Sequence, residues 1–268
     1  MNASSTRTGK APPLVGQYTR KEFREAVSGG RLKCVIVAVG ATEQHADHLA
    51  MDHDIAMATH VAVEVAKRLT PAVVVAAPTI LGLSEHHMIH AGTLTASPGA
   101  WFSVVFDTVA SFARHGIRNV LVLNGHAGNE APVDGILRQW QQYFRTSYPD
   151  FNLQFHSYWN LDRSGAEQLV GVAVPGHAHD YETSMALYAL PENVDHQALA
   201  AVPGSLATLA TKEKGARLTE LAVEATAQYV VEMLAGEHRE LRRGTTSGER
   251  YRQAQANSVP SPVSIQSS

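Results

Sequence analysis

The chain has a single cysteine, Cys34, and that scarcity removes two options at once. No disulfide can form within the chain and no thiolate cage can hold a metal, so any metal must be bound through nitrogen and oxygen. Cys34 lies inside the apolar run LKCVIVAVG and reads as a small buried hydrophobe rather than a nucleophile. Long apolar runs are missing as well. The longest, AVVVAAPTILGL at 72–83, is interrupted by Pro78 and is too short to span a bilayer. There is no excess of basic charge: 22 Lys and Arg stand against 25 Asp and Glu, for a formal net charge of −3. That balance gives no footprint for nucleic acid and no polybasic patch for a membrane. The opening MNASSTRTGKAPP lacks the apolar core of a signal peptide, so a cytoplasmic location is expected. No GxSxG elbow, HExxH pair or glycine-rich phosphate loop is found either.

Histidine is the opposite case, with fourteen in 268 residues. They gather with carboxylates. In GATEQHADHLAMDHD (40–54), Glu43, His45, Asp47, His48, Asp52, His53 and Asp54 are crowded together without one Lys or Arg. Clustered carboxylates repel one another unless a cation is present, and a divalent metal supplies that cation. Each residue alone also has an ordinary explanation, with Asp52 or Asp54 as a helix N-cap and His45 as a satisfied loop histidine.

Short Val/Ile/Leu runs alternate with helical patterns along the chain. Strands are expected at LKCVIVAVG, AVVVAAP, NVLVLNG and NLQFHSYW. Helices are expected through AMATHVAVEVAKRL, PGAWFSVVFDTVASFARHG and APVDGILRQWQQYFRTSY, from near Asp180, and through EKGARLTELAVEATAQYVVEMLAGE. Apolar strands separated by helices argue for an α/β fold with a mostly parallel sheet covered on both faces, which binds ligands beyond the carboxyl ends of its strands. No repeat or linker divides the core. One domain is expected over residues 15–252, between ends at 1–14 and 253–268 that read as disordered from their Ser and Pro content.

Three further donor clusters fall at such strand ends or before a later helix. VLVLNGHAGNEAP (120–132) runs from a strand into a tight turn that presents His126, with Gly125 and Gly128 on either side permitting positive φ and Asn129 as a candidate cap. LSEHHMIHAGTL (83–94) supplies Glu85, His86, His87 and His90. PGHAHDYETSMALYAL (175–190) holds His177, His179, Asp180 and Glu182, and by itself would pass for a helix start with acidic first-turn residues.

Taken together, VGATEQHADHLAMDHD, GLSEHHMIHAGTL, VLNGHAGN and HAHDYETS, in that order and spacing, resemble the motifs of the creatininase (creatinine amidohydrolase) family over roughly residues 30–195. The resemblance implies a single three-layer α/β domain, a pair of divalent metals (Zn²⁺ or Mn²⁺, with Fe²⁺ in some relatives), and a homohexamer built as a trimer of dimers. Members of the family hydrolyse creatinine, deformylate a pyrimidine intermediate, cleave a redox-cofactor peptide precursor, or open oxidised inositol rings.

Position by position, the resemblance implies Glu43 and His45 as ligands to different metals, Asp54 as the bridging carboxylate, and His126 as a ligand on the Glu43 side. The enzyme that gives the family its name has a glutamate ligand two residues beyond that histidine. Gly128 stands there in this chain, so Glu182 is the implied replacement. His177 matches the histidine assigned to proton transfer, and with Glu182 it makes up the implied catalytic pair. The shared SYW at 157–159 places Trp159 near the substrate, while a second pocket tryptophan is Ala173 here. The usual EHxxFPGT reads HHMIHAGT, so that His86 stands for Glu, His90 for Phe and Ala91 for Pro; HGPHLP becomes HADHLA. His86, His87 and His90 are therefore expected to line the substrate pocket. The implied function is a dinuclear metal-dependent hydrolase cleaving a C–N bond of a small amide with metal-activated water. Cleavage of a C–C bond in a cyclic keto-sugar, or a non-catalytic metal-binding subunit with the same fold, are the alternatives.

Overall fold

The computed structural model describes residues 11–242. The first ten residues and 243–268 lie outside it, and with them the expected tail and the expected domain end at 252. The described chain runs α1 (Arg20–Ser28), β1 (Cys34–Val39), α2 (His53–Arg68), β2 (Val73–Ala76), α3 (Pro98–Arg114), β3 (Asn119–Asn124), α4 (Glu130–Ser147), β4 (Asn152–Ser157), α5 (Arg163–Val170), α6 (Asp180–Ala189), α7 (His196–Ala200) and α8 (Lys212–Ala235).

The four strands form one sheet in the order β2-β1-β3-β4, every pair parallel. Cys34 of β1 stands opposite Val73 of β2 and Asn119 of β3, and Val39 opposite Asn124, so the carboxyl ends of β1 and β3 are level. Side chains of a strand alternate between the faces, and here the alternation divides the core in two. Cys34, Ile36, Ala38, Val73, Val75, Leu121 and Leu123 pack with Met57, Val61, Val65, Met185, Leu218 and Val230 of α2, α6 and α8. Val35, Val37, Val39, Val74, Val120 and Val122 pack on the other side with Ala26, Trp101, Val105, Val109, Val133 and Leu137 of α1, α3 and α4. Both faces are covered, which is why β1 and β2 read as unbroken apolar runs. The result is the three-layer α/β sandwich expected from the sequence. Cys34 is fully buried, and burial pushes its thiol up to about 12, so it is a core residue. Among the described residues no helix is long and apolar enough to cross a membrane.

Helices α1, α5 and α7 are additions to the elements expected from the sequence. Of these α1 carries a readable signal: the Thr19 hydroxyl accepts from the Glu22 amide at 3.3 Å while the Thr19 amide donates to Glu22 Oε2 at 2.7 Å, a capping box. Residues 11–14, expected within a disordered end, are tied to the sheet. The Val75 amide donates to the Pro13 carbonyl at 2.8 Å, and Leu14 pairs with Val75 as a parallel bridge beside β2. At the opposite edge, Asn152 of β4 donates to the Glu237 carbonyl at 3.1 Å, and Gln154 reaches the His238 carbonyl.

Candidate metal centre

Four segments meet at the carboxyl ends of β1 and β3. The loop after β1 brings Glu43 and His45, the first turn of α2 brings Asp54, the turn after β3 brings His126, and the first turn of α6 brings Glu182. All five are buried. Asp52 occupies the N-cap position of α2, yet its carboxylate accepts from Asn193 at 2.9 Å and no side-chain bond caps the helix. Asn129 does not cap α4 with its side chain either. Its Oδ1 accepts from the Leu83 amide at 3.0 Å, and its Nδ2 donates to Asn124 Oδ1 at 3.0 Å and to the Gly40 carbonyl at 3.2 Å, lashing three loops together. Gly125 and Gly128 are not among the positive-φ residues. They are needed for room: a Cβ on Gly125 would collide with the Asp54 carbonyl, and one on Gly128 with the His126 imidazole.

The two oxygens of Asp54 face two different donor sets. Oδ1 lies 3.0 Å from His45 Nε2, which is itself 3.8 Å from Glu182 Oε2. Oδ2 lies 3.0 Å from His126 Nδ1, which is 3.3 Å from Glu43 Oε1. These atoms are close without being paired: His45 Nε2, Asp54 Oδ2 and Glu43 Oε2 are buried and have no hydrogen-bond partner. Donor atoms that converge at such distances on buried carboxylates fit a cation, whether a proton or a metal ion. The far side of each imidazole agrees. His45 Nδ1 is 3.1 Å from the Glu43 carbonyl oxygen, and His126 Nε2 is 3.3 Å from the Leu83 carbonyl and from Ser84 Oγ. An N–H directed at those acceptors leaves the other ring nitrogen free to ligate, the arrangement that orients metal-bound histidines.

Electrostatics of the protein alone point the same way. Burial pulls the His45 imidazole down, but the Asp54 carboxylate against it more than compensates and holds it at about 9. Burial likewise opposes protonation of His126, and Asp54 and Glu43 together hold it at about 10. Glu182 goes up to about 8, chiefly through burial, despite the neighbouring His45. A carboxyl with so high a pKa beside two raised imidazoles marks a place short of positive charge. Donors from Glu43, His45 and Asp54, from His45, His177 and Glu182, and from Glu43, His86 and His126 lie within 4.8 Å of one another in each group. Imidazole and carboxylate donors without thiolate suit zinc and manganese.

Residues 16–230 match the creatininase family, described as creatinine amidohydrolase. The chain belongs to the creatininase family. It is 29% identical over 255 residues to the creatinine amidohydrolase of Pseudomonas putida, a match covering 82% of this chain and 96% of that one. Two similar solved structures carry metal in their descriptions. One is a manganese creatininase (TM-score 0.72, 26% identity, 82% of this chain and 98% of that one). The other is a creatininase mutant of Zn–Zn type (TM-score 0.72, 27% identity, 84% and 99%). With the buried donor set, this membership makes the chain a metal-dependent hydrolase.

Around this creatininase-family centre the remaining sequence candidates take varied places. His177, in the turn before α6, stacks on His87 with ring centroids 4.5 Å apart and lies 4.5 Å from the His45 ring. Burial, then the His45 charge, pull it down to about 4, so its ring is neutral near pH 7. His86 and His90 are exposed on the loop after β2, and His87 is half-buried. Trp159, expected beside the substrate, is only 2% exposed: the turn after β4 carries it into the core, edge-on to Tyr158, so it offers no open aromatic wall. His48 bonds Thr183 at 2.9 Å, and Asp180 takes Lys214 at 2.6 Å, so both are structural ties into α6. Gln44 was not singled out from the sequence. Its Oε1 accepts from the Ala46 amide at 3.0 Å, which turns its NH₂ toward His87 Nδ1 (3.0 Å) and His177 Nε2 (2.8 Å). The signal was its position between Glu43 and His45.

Proposed function

We propose that this chain is an amidohydrolase that cleaves the C–N bond of a small amide, cyclic amides included, at a dinuclear centre. Glu43 and His126 would hold one divalent ion and His45 and Glu182 the other, with Asp54 shared between them. The observation that carries this reading is the division of the Asp54 carboxylate between the two donor sets, each oxygen 3.0 Å from a different imidazole. Bound there, a pair of zinc or manganese ions supplies Lewis acidity toward a carbonyl and lowers the pKa of water to about neutrality. The protein's part is proton handling and orientation. Because the Gln44 amide donates to His177 Nε2, the proton of the neutral ring sits on Nδ1, which faces the centre 3.7 Å from Glu43 Oε1. His177 is thereby set to direct its N–H at a leaving nitrogen; the neutral ring would first take up the proton released by the attacking water and, as imidazolium, pass one to that nitrogen, a role worth ~10²–10⁴-fold in rate. Glu182 is kept in place by the Ala178 amide, which donates to its Oε2 at 2.6 Å. His87 and His90 border the substrate. The polar character of His87, His90 and Gln44 also favours a second reading, hydrolysis of a C–C bond in a hydroxyl-rich cyclic ketone with the same machinery. A cytoplasmic homohexamer completes the proposal; the exposed Ile80, Met88, Ile89 and Leu94 on and beside the loop after β2 support burial against another subunit.

The test joins metal content to turnover. Purified protein should hold about two divalent ions per chain, as a two-metal site requires, and Asp54→Ala should lose more metal than Glu43→Ala or His45→Ala. Equal losses would remove the bridge. At matched metal loading, creatinine, other cyclic amides, formamides and keto-inositols are assayed together. Keto-inositol turnover alone selects the second reading, and two bound metals with no turnover of any of them would leave a non-catalytic subunit.

A further inference from the structure

The loop after β2 puts an imidazole against the centre where the family motif usually has a glutamate. His86 Nε2 lies 4.0 Å from Glu43 Oε2. That oxygen is buried and has no hydrogen-bond partner. A gap of 4.0 Å is within the span of two metal–ligand bonds of ~2.0–2.2 Å each. The His86 ring lies nearly parallel to His126, at 12° with centroids 5.7 Å apart. Donor atoms of Glu43, His86 and His126 all fall within 4.8 Å of one another. Gly128 makes this arrangement possible, because a Cβ there would collide with the His126 ring and come within 3.0 Å of His86 Cε1. The His86 side chain is 53% exposed, and its ring makes no hydrogen bond among the described residues, so nothing else claims its nitrogen.

We propose that His86 is a further protein ligand of the metal held by Glu43, Asp54 and His126, and that it tilts that position toward zinc over manganese. The inference rests on the two-metal reading above. Without His86, that position has two carboxylates and one imidazole. A second imidazole shifts the donor set toward metals that favour nitrogen, whereas manganese is served by carboxylate and water. The glutamate usual at this place in the family would push the other way.

Wild type, His86→Ala and His86→Glu are stripped of metal, reloaded from equal zinc and manganese, and their bound metals counted per chain; cobalt-loaded samples of each are compared by visible absorption. His86 is exposed, so both variants are expected to fold. Wild type should take about two ions per chain, with zinc preferred at one position. In His86→Ala zinc at that position should weaken by roughly tenfold or more, since even loss of an outer-shell partner typically costs 10–100-fold. The cobalt spectrum should change with it, and His86→Glu should raise the manganese share. Identical zinc-to-manganese ratios and cobalt spectra in all three proteins would overturn the role of His86 and leave the two-metal reading standing. A wild type that binds no metal would overturn both.

Discussion

At the scale of the residue, the proposed centre separates groups placed to hold charge from one placed to move it. Glu43, His45, Asp54, His126 and Glu182 are buried with converging donor atoms, whereas His177 hangs between Gln44 and Glu43 on a partly exposed turn. His177→Ala is therefore expected to fold, to keep its metals and to lose ~10²–10⁴-fold in turnover. Elemental analysis beside a rate measurement decides it, and metal loss in step with activity would make His177 a ligand instead. The residue types of this centre were legible in the sequence, because so many donors without a counter-charge need a cation. Distances were not. His48 and Asp180 have the same chemistry as the ligands, but each is already partnered, by Thr183 and Lys214. Trp159 reads as a pocket wall and is instead core.

At the scale of the element, the apolar strands could be read because burial on both faces forces continuous Val, Ile and Leu. The helices with long apolar stripes could be read for a similar reason. Helix α1 offers only its cap as a signal, since Arg20–Ser28 buries only Ala26. The cap's contribution is measurable. Thr19→Ala removes the hydroxyl that accepts from the Glu22 amide, while the backbone amide of residue 19 can still donate to Glu22; the loss should cost about 1 kcal/mol, or roughly 2–4 °C in melting temperature for a domain of this size. Phe23 and Val27 of the same helix pack against the α3 side of the core, so the loss should appear in global unfolding. A variant melting with wild type would show that α1 is held by packing alone. The loops followed a different logic from the one their glycines suggest: Gly125 and Gly128 serve close approach of the β3 turn to α2 and His126, which backbone conformation alone does not announce.

At the scale of the whole molecule, acid stability has an identifiable contributor away from the metal centre. His156 of β4, 3.0 Å from the Tyr229 hydroxyl, is pulled down to about 4 by burial and then by Arg242 and His238, with Asp134 opposing. Above about pH 7 the imidazole is neutral folded or unfolded and contributes nothing to the pH dependence. As the pH falls below the ordinary value of 6.5, the unfolded chain takes up a proton that the folded one refuses until about 4. Stability should therefore drop across that window, by about 3 kcal/mol in all, and level off below it. His156→Gln cannot titrate, so urea midpoints of the two proteins should diverge between pH 6.5 and 4; parallel curves would acquit His156. The sheet has a consequence at this scale too. Both of its outer strands are already attended by the chain itself, β2 by Pro13 and Leu14 and β4 through its side-chain bonds to the backbone at 237–238. Pro12 and Pro13 have no amide hydrogen to offer an incoming strand, so the β2 rim is a poor template for sheet-to-sheet growth. Copies of this protein that associate are thereby steered to meet through helices and loops, and a route to fibrous aggregation is closed by the same short segment.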